Sequence, residues 1–546
     1  MSDCLDYKQT FRFSNLFLDY IDQKSSVQTY YNRFPKINNF KAQIQEKQKN
    51  YNLTHREILV EVLKEQYQNF EASKATTQNI NLLSDTNTFT ITTGHQLNLF
   101  TGPLYTFYKI ISVLNSCQLL KKQYPEYNFI PIFWLASEDH DFEEINHFYF
   151  EDKKISWSKK ANGAVGEINT KGLEDVINQF ESLIPKTKNA EYLIQLFKQS
   201  YLEHDDLSLA SIYLYNELFG EEGLVILDPN HPKLKACFKT EIKTEIFSKP
   251  TFDKVSETTK RLKKQNYHEQ VTPREINFFY KTKGLRERII FKDEKYFINQ
   301  TEIAFTPSEI EKEIDKHPER FSPNALLRPL YQEVLLPNLS YVGGAGELAY
   351  WLQLQSTFKA FRVTFPMLQM RDSVLLISDK SLKKLDKLQV KPKDLFQSPI
   401  DLKNQHVEHI SEIEIDFTPQ KKHLSQQFES LYKLAKKTDK SFINAVAAQE
   451  KKQHNGLDKL ENRLLKAQRR KLADETERLS KLQDKLFPTQ KLQERHVNFS
   501  DLYLSYGDDF KKYIINTLNP FSYKFTIMIL STQPKSLNHS HKLSCV

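Results

Sequence analysis

Residues 87–109 read NTFTITT followed by GHQLNLFTGPLYTFYK, and this stretch decides the fold. The first seven residues, Asn87 to Thr93, are β-branched and aromatic and predict a strand. A helical pattern follows from about Tyr105 to Lys122, and then FIPIFWL, Phe129 to Leu135, gives a second strand. That run is continuous in apolar residues, as a parallel strand buried on both faces should be. Strand, helix and strand make a βαβ unit, the building block of an α/β fold. A third strand is expected at Gly223 to Asp228 (GLVILD), with residues 165–220 as a helical insertion before it. Residues 1–80 read as mostly helical. Residues 235–320 read as a second insertion, with a hairpin suggested by Asn277-Phe278-Phe279-Tyr280 and Arg286-Glu287-Arg288-Ile289.

Ligands of such a sheet bind beyond the carboxyl ends of its strands. The first loop there is Gly94, His95, Gln96 through Thr101, Gly102, Pro103 and Tyr105. Its amides and the following helix N-terminus suit an anion, and Lys109 lies one turn further on. The second loop is Ser137-Glu138-Asp139-His140-Asp141. Its carboxylates suit an amine, a hydroxyl or a metal ion, and His140 a proton transfer. The plainer alternative leaves Asp139 or Asp141 as a helix cap and Lys109 as a solvated surface residue. Further on, Asn324 and Arg328 precede Gly343-Gly344-Ala345-Gly346-Glu347. This block only loosely resembles a phosphate loop, because no GxGxxG and no Lys-Ser or Lys-Thr accompanies it. Glu347 opens an expected helix from Leu348 to Phe358, where it also suits the helix dipole.

Composition sharpens the glycine blocks. The chain has 546 residues and 13 glycines, where average usage of about 7% would give roughly 38. A chain so sparing with glycine is expected to keep it where backbone geometry demands it. The apolar fraction of 39% supports a substantial core. The longest apolar stretch, near Ile130 to Ala136, falls far short of the roughly 20 residues of a membrane helix. The start lacks the layout of a signal peptide. Cys4, Cys117, Cys237 and Cys545 are isolated in sequence, which argues against a disulfide framework and a thiolate metal site. A cytoplasmic protein with no assigned metal and no membrane partner is expected.

The net charge of +8 is local. Residues 421–490 hold 17 Lys and Arg against 9 Asp and Glu, and the rest of the chain is nearly neutral. This segment lacks Pro before Pro488, and Leu465, Leu472, Leu479 and Leu486 recur every seven residues, though seam positions such as Gln468 and Glu475 are polar. An antiparallel helical hairpin is expected, about 420–452 and 456–487, turning at His454-Asn455-Gly456. A dimerising arm is favoured over a nucleic-acid grip, because aromatic residues for stacking are nearly absent after Phe442.

Four blocks, TGHQLNLFTGPLYTFYK (93–109), PIFWLASEDHDFEEINH (131–147), FSPNALLRPLYQEVLLPNLSYVGGAGELAYWLQL (321–354) and LQERHVNFSDLY (492–503), together resemble the BshC family of bacillithiol biosynthesis. The resemblance implies an α/β Rossmann-type core like that of class I aminoacyl-tRNA synthetases, two connecting-peptide insertions and an α-helical coiled-coil domain for homodimerisation. It implies a cysteine ligase joining L-cysteine to glucosaminyl-malate by an amide bond. The expected division is a core first part at 1–160, a helical insertion at 161–222 and a core strand at 223–234. A second insertion at 235–320, a core second part at 321–378, a coiled-coil arm at 379–490 and a returning segment at 491–546 complete it.

Amide formation at neutral pH calls for an activated carboxyl, which makes ATP the candidate co-substrate. Gly94, His95, Gln96, Thr101, Gly102, Pro103, Tyr105 and Lys109 are assigned to the nucleotide or activated carboxyl. Glu138, Asp139, His140 and Asp141 are assigned to an amine, one as general base. Asn324 and Arg328 are assigned to the malyl carboxylate, and Gly343, Gly344, Gly346 and Glu347 to the pocket wall. The sequence departs from the synthetase pattern: the first loop has one histidine, and Lys380-Ser381-Leu382-Lys383 is a poor substitute for a KMSKS loop. The other readings are a different ATP-dependent synthetase or nucleotidyltransferase-like enzyme, and a basic coiled-coil nucleic-acid-binding or scaffold protein.

Overall fold

A computed structural model describes residues 2–531; the polar tail expected from 531 onward, Cys545 included, otherwise lies outside the described residues. A short strand, β1 (Ser2–Leu5), precedes the helices that fill the first eighty residues. β2 (Thr88–His95) and β3 (Asn128–Leu135) flank the helix Tyr105–Gln123, as the apolar pattern requires. They pair in parallel from Thr88 with Asn128 to His95 with Leu135. A hairpin of β4 (His147–Phe150) and β5 (Lys153–Ser156) leads into the helices of the first insertion, Leu173–Leu183, Lys188–Leu202 and Leu207–Phe219. β6 (Val225–Leu227) then joins β3 in parallel.

The second insertion begins with helices Pro232–Ala236, Lys239–Ser248 and Pro250–Lys264. It continues as a meander of β7 (Phe278–Thr282), β8 (Leu285–Lys292), β9 (Lys295–Ile298) and β10 (Ala304–Phe305). The expected hairpin is β7 and β8, and β11 (Phe321–Pro323) closes this sheet against β7. The core resumes with β12 (Asn338–Gly343) and β13 (Met367–Met370).

The core sheet runs β13-β12-β2-β3-β6 and is parallel throughout. Counted by appearance, its strands stand in the order 3-2-1-4-5, the Rossmann arrangement. The strand order reverses between β2 and β12, and a crevice opens at such a point. Ile132, Phe133, Trp134 and Leu135 are buried in β3, and Ile110, Ile111 and Leu114 cover the sheet from the first helix. Burying each such side chain contributes roughly 1.5–3 kcal/mol. Among the described residues no helix is long and apolar enough to cross a membrane.

Three details differ from the sequence reading. The helix expected at Leu348 to Phe358 is two helices, Ala345–Trp351 and Gln355–Ala360, which places Glu347 inside the first turn. β14 (Ser373–Ser378) leaves the core sheet and pairs in parallel with β15 (Phe525–Leu530), which pairs with β1. The arm turns at 436–439, between helices Thr418–Ala435 and Lys440–Lys471, and the second helix passes straight through Gly456. The leucine heptad is cut at Leu472, where the helix Ala473–Leu486 begins; Leu479, Leu482 and Leu486 are buried within this chain's own core.

Candidate active site

The crevice at the strand-order reversal has two adjoining lobes. The first, about 430 Å³, is lined by Gly94, His95, Gln96, Tyr105, Lys109, Gly344, Gly346 and Glu347, and by Arg328, Arg371 and Arg495. The second, about 420 Å³, is lined by Glu138, Asp139, His140, Phe279, Arg286 and Asn324 among others. Trp134, Ala136, Arg328 and Tyr350 border both. Both loops at the ends of β2 and β3 thus reach one cleft, joined there by the residues after β11 and β12.

The first lobe gathers cations. The Lys109 ammonium is buried, donating to the Gly94 carbonyl at 2.8 Å and to Glu347 Oε1 at 2.7 Å, so it is no solvated surface residue. Burial pulls Lys109 down, against the pull of Glu347. Burial alone would raise Glu347, but Lys109 and the Gly344 N–H, which Glu347 Oε2 accepts at 2.7 Å, hold its carboxyl below the usual range. Arg328 lies against Trp134, Tyr341 and Trp351, with its Cζ 5.3 Å from the Tyr341 ring centre. Its Nη1 donates to Gln332 at 3.1 Å, while its Nη2 is buried with no hydrogen-bond partner among the described residues. Arg371 pairs with Glu494 at 2.7 Å, and its Nε is likewise buried with no hydrogen-bond partner among the described residues. Two guanidinium N–H groups left without acceptors are costly unless a ligand supplies them. Planar guanidinium donors suit carboxylate or phosphate oxygens.

His95 is present in this lobe as a neutral ring. Burial, then the Lys109 charge, lowers its pKa to about 3. Its Nε2 meets the Asn98 amide at 3.1 Å, and its ring stands edge-on to Tyr105.

The second lobe gathers carboxylates. The Glu138 side chain pairs with the fully buried Lys235 at 2.7 Å. Burial raises Asp139, but hydrogen bonds from His140 and Gln96 and the nearby Arg286 hold it well below the usual carboxylate range. Gln96 Nε2 donates to both Asp139 and Glu144 at 2.8 Å, tying the first loop to the second. Arg286 reaches in from β8, and its Nη1 donates to His140 Nδ1 at 2.7 Å. An arginine can only donate, so His140 Nδ1 is the acceptor in this contact. Asn324 Oδ1 accepts from the Leu326 N–H at 2.9 Å, and its Nδ2 donates to Asn277 at 3.0 Å.

Five sequence assignments fall outside the lining. Thr101 and Gly102 are buried in the loop wall and Pro103 lies beside them; Asn498 Nδ2 donates to the carbonyls of Phe100 and Gly102 at 2.8 and 2.6 Å. Gly102 has a φ of +62°, and a Cβ there would fall 2.6 Å from Asn98, so this glycine shapes the loop without touching the cleft. Gly343 ends β12 behind the lining, against Tyr341 and Leu348. Asp141 is exposed at the start of the short helix Phe142–Ile145 and gives no side-chain cap. In turn, the sequence reading missed Arg371, Arg495, Arg286 and Lys235. Arg495 sits inside the quoted block 492–503, and the buried Arg371-Asp372 pair follows the apolar β13, which was its only local sign.

Residues 1–372 match the family described as bacillithiol biosynthesis BshC, N-terminal Rossmann-like domain, and residues 374–530 match its C-terminal coiled-coil domain. A Flavobacterium johnsoniae protein named "Putative cysteine ligase BshC" is 50% identical over 529 residues, covering 97% of this chain and all of the relative. A protein of the same name from Christiangramia forsetii is 49% identical, covering 96% of this chain and 99% of its own. Another from Cytophaga hutchinsonii is 37% identical, covering 89% and 90%.

Proposed function

The chain belongs to the BshC family of bacillithiol biosynthesis, and we propose that it is the ligase that adds L-cysteine to glucosaminyl-malate by forming an amide. The observation that carries this reading is the pairing of the two lobes. Two arginines that line the first lobe, Arg328 and Arg371, each hold a buried guanidinium nitrogen with no acceptor among the described residues, and carboxylates in fixed hydrogen bonds line the second. Amide formation needs both: anion recognition for the carboxyl partner, and an acceptor for the proton the amine gives up.

The first lobe suits a phosphate-bearing activator, and ATP is the candidate. Arg328, Arg371 and Arg495 would hold its phosphates, and it would supply the leaving group that a free carboxylate lacks. Arg328 borders both lobes, so the malyl carboxylate assigned to it would sit at the junction with Asn324. Gln96 and His140 fix Asp139 as a hydrogen-bond acceptor that would orient the amine, and Glu138 stands beside it. Neutral His95 can exchange hydrogen bonds with a ligand without adding charge. The basic arm exposes Leu431, Leu434, Phe442 and Leu460, which suits pairing with a second copy of this chain in the cytoplasm.

Mass spectrometry of reactions with cysteine and glucosaminyl-malate, with and without ATP, tests the reading. The expected product has the summed mass of the two substrates less one water, and appears only with nucleotide. Full yield without nucleotide would remove ATP from the scheme. No product under either condition would return the chain to another ligase substrate.

A further inference from the structure

The buried Lys235–Glu138 pair is unused by the scheme so far. Lys235 lies on the short helix Pro232–Ala236, fully buried, and donates to Glu138 Oε1 at 2.7 Å and to the Phe321 carbonyl at 3.1 Å. Its ammonium also sits 4.8 Å from the centre of the Tyr331 ring. Every one of its contacts is therefore internal, while Glu138 is the member of the pair that lines the second lobe. A buried ion pair is rarely retained for stability alone, because desolvation offsets most of its Coulomb gain.

The surroundings explain why the pair needs its cation. Asp139 is the next residue, Asp228 lies near enough for burial and the Glu138 charge to push its carboxyl up, and Tyr331 closes the site from the helix Arg328–Leu335. Arg286 approaches Glu138 from β8, and Lys281 acts on Lys235 from β7. Without Lys235, the buried Glu138 side chain would lose its ammonium partner, and a buried carboxylate stripped of its partner is costly. Burial pulls Lys235 itself down to about 8, with Glu138 resisting, so the ammonium stays charged at neutral pH.

We propose that Lys235 is the positioning residue that keeps Glu138 ionised and aimed into the second lobe, where Glu138 accepts the proton of the attacking amine. This rests on the amide-forming reading above. In that step the N–C bond forms and the bond from the carbonyl carbon to its phosphate-type leaving group breaks. The surplus amine proton passes to Glu138.

The test compares pH profiles of product formation by the wild type, K235R and K235M, with thermal melting of each. Arginine keeps the charge, so K235R should keep the acidic limb of the kcat profile. K235M should shift that limb upward by about one pH unit or more, with KM values within about threefold of wild type. An unshifted limb in folded K235M, or equal losses in K235M and K235R without a shift, would overturn the proposal. If K235M does not fold, E138Q decides. It keeps the shape and the contact with Lys235, and should lower kcat by about a hundredfold or more while barely moving KM; near-wild-type turnover would overturn the proposal. A wild-type enzyme that makes no amide refutes the proposed function instead, so the two failures remain distinct.

Discussion

His95 shows how one side chain records the electrostatics of the cleft. Burial and the Lys109 charge lower its pKa to about 3, whereas an unfolded chain would leave it near 6.5. Between those values the unfolded state binds a proton that the native state refuses. The neutral ring's contribution is therefore fully present above about pH 6.5 and is lost progressively as pH falls toward 3. At pH 5 the loss is about 2 kcal/mol relative to pH 7. H95Q keeps a neutral polar group and has no such proton to refuse. Chemical unfolding of both proteins at pH 7 and pH 5 should show the variant losing about 2 kcal/mol less than the wild type across that interval; equal losses would refute it. At this scale the sequence showed the residues of the two loops but not their partners. Gly94, His95, Gln96, Glu138 and Asp139 stand in runs whose position after strands marks them. Lys235 and Arg371 meet the site from 97 residues beyond Glu138 and 123 residues before Glu494, and no local pattern announces such pairs.

Among elements, β3 was legible because a parallel strand buried on both faces is apolar along its length, and β2 because its residues are β-branched and aromatic; with β6, both match their expected spans within two residues. The arm was legible as helix but not in its turn. His454-Asn455-Gly456 has turn composition, yet a single glycine costs a helix only about 1 kcal/mol, which a helix as long as Lys440–Lys471 absorbs. The true break has a signal of its own: Asp439 accepts from the N–H groups of Ser441 and Phe442, an N-cap in the usual chemistry. A side chain at 456 would meet nothing within 4 Å. G456A should therefore stabilise that helix by about 0.5–1 kcal/mol, seen as slower amide exchange along 450–462 in the full chain. Faster exchange there would restore a turn at Gly456. The heptad misled for a related reason: its period survives across Leu472, but Leu479 and Leu486 point into this chain's core, so a seven-residue repeat alone did not locate a dimer seam.

Across the whole molecule, the segment 493–498 ties the loop after β2 to the stretch from Arg371 into β14 and completes the cleft. Gln493 bonds both backbone groups of Leu376 in β14, Glu494 accepts from Arg371 and from the Val374 N–H, and Asn498 holds the loop after β2. Arg495, between them, enters the first lobe. Arg371 and Glu494 are both almost completely buried, so removing one partner leaves an uncompensated charge. E494A should cost about 3–5 kcal/mol, measured by chemical unfolding. The apolar pair R371M/E494L, which leaves no buried charge, should recover much of that stability. If Arg371 served stability alone, the double variant would also recover product formation. Arg371 lines the first lobe and its Nε has no partner among the described residues, which argues otherwise: the double variant should melt near the wild type and still lose most of its amide-forming rate. Recovery of both together would reduce Arg371 to a strut, and loss of both would mean that the charged pair itself holds the two halves of the chain in register.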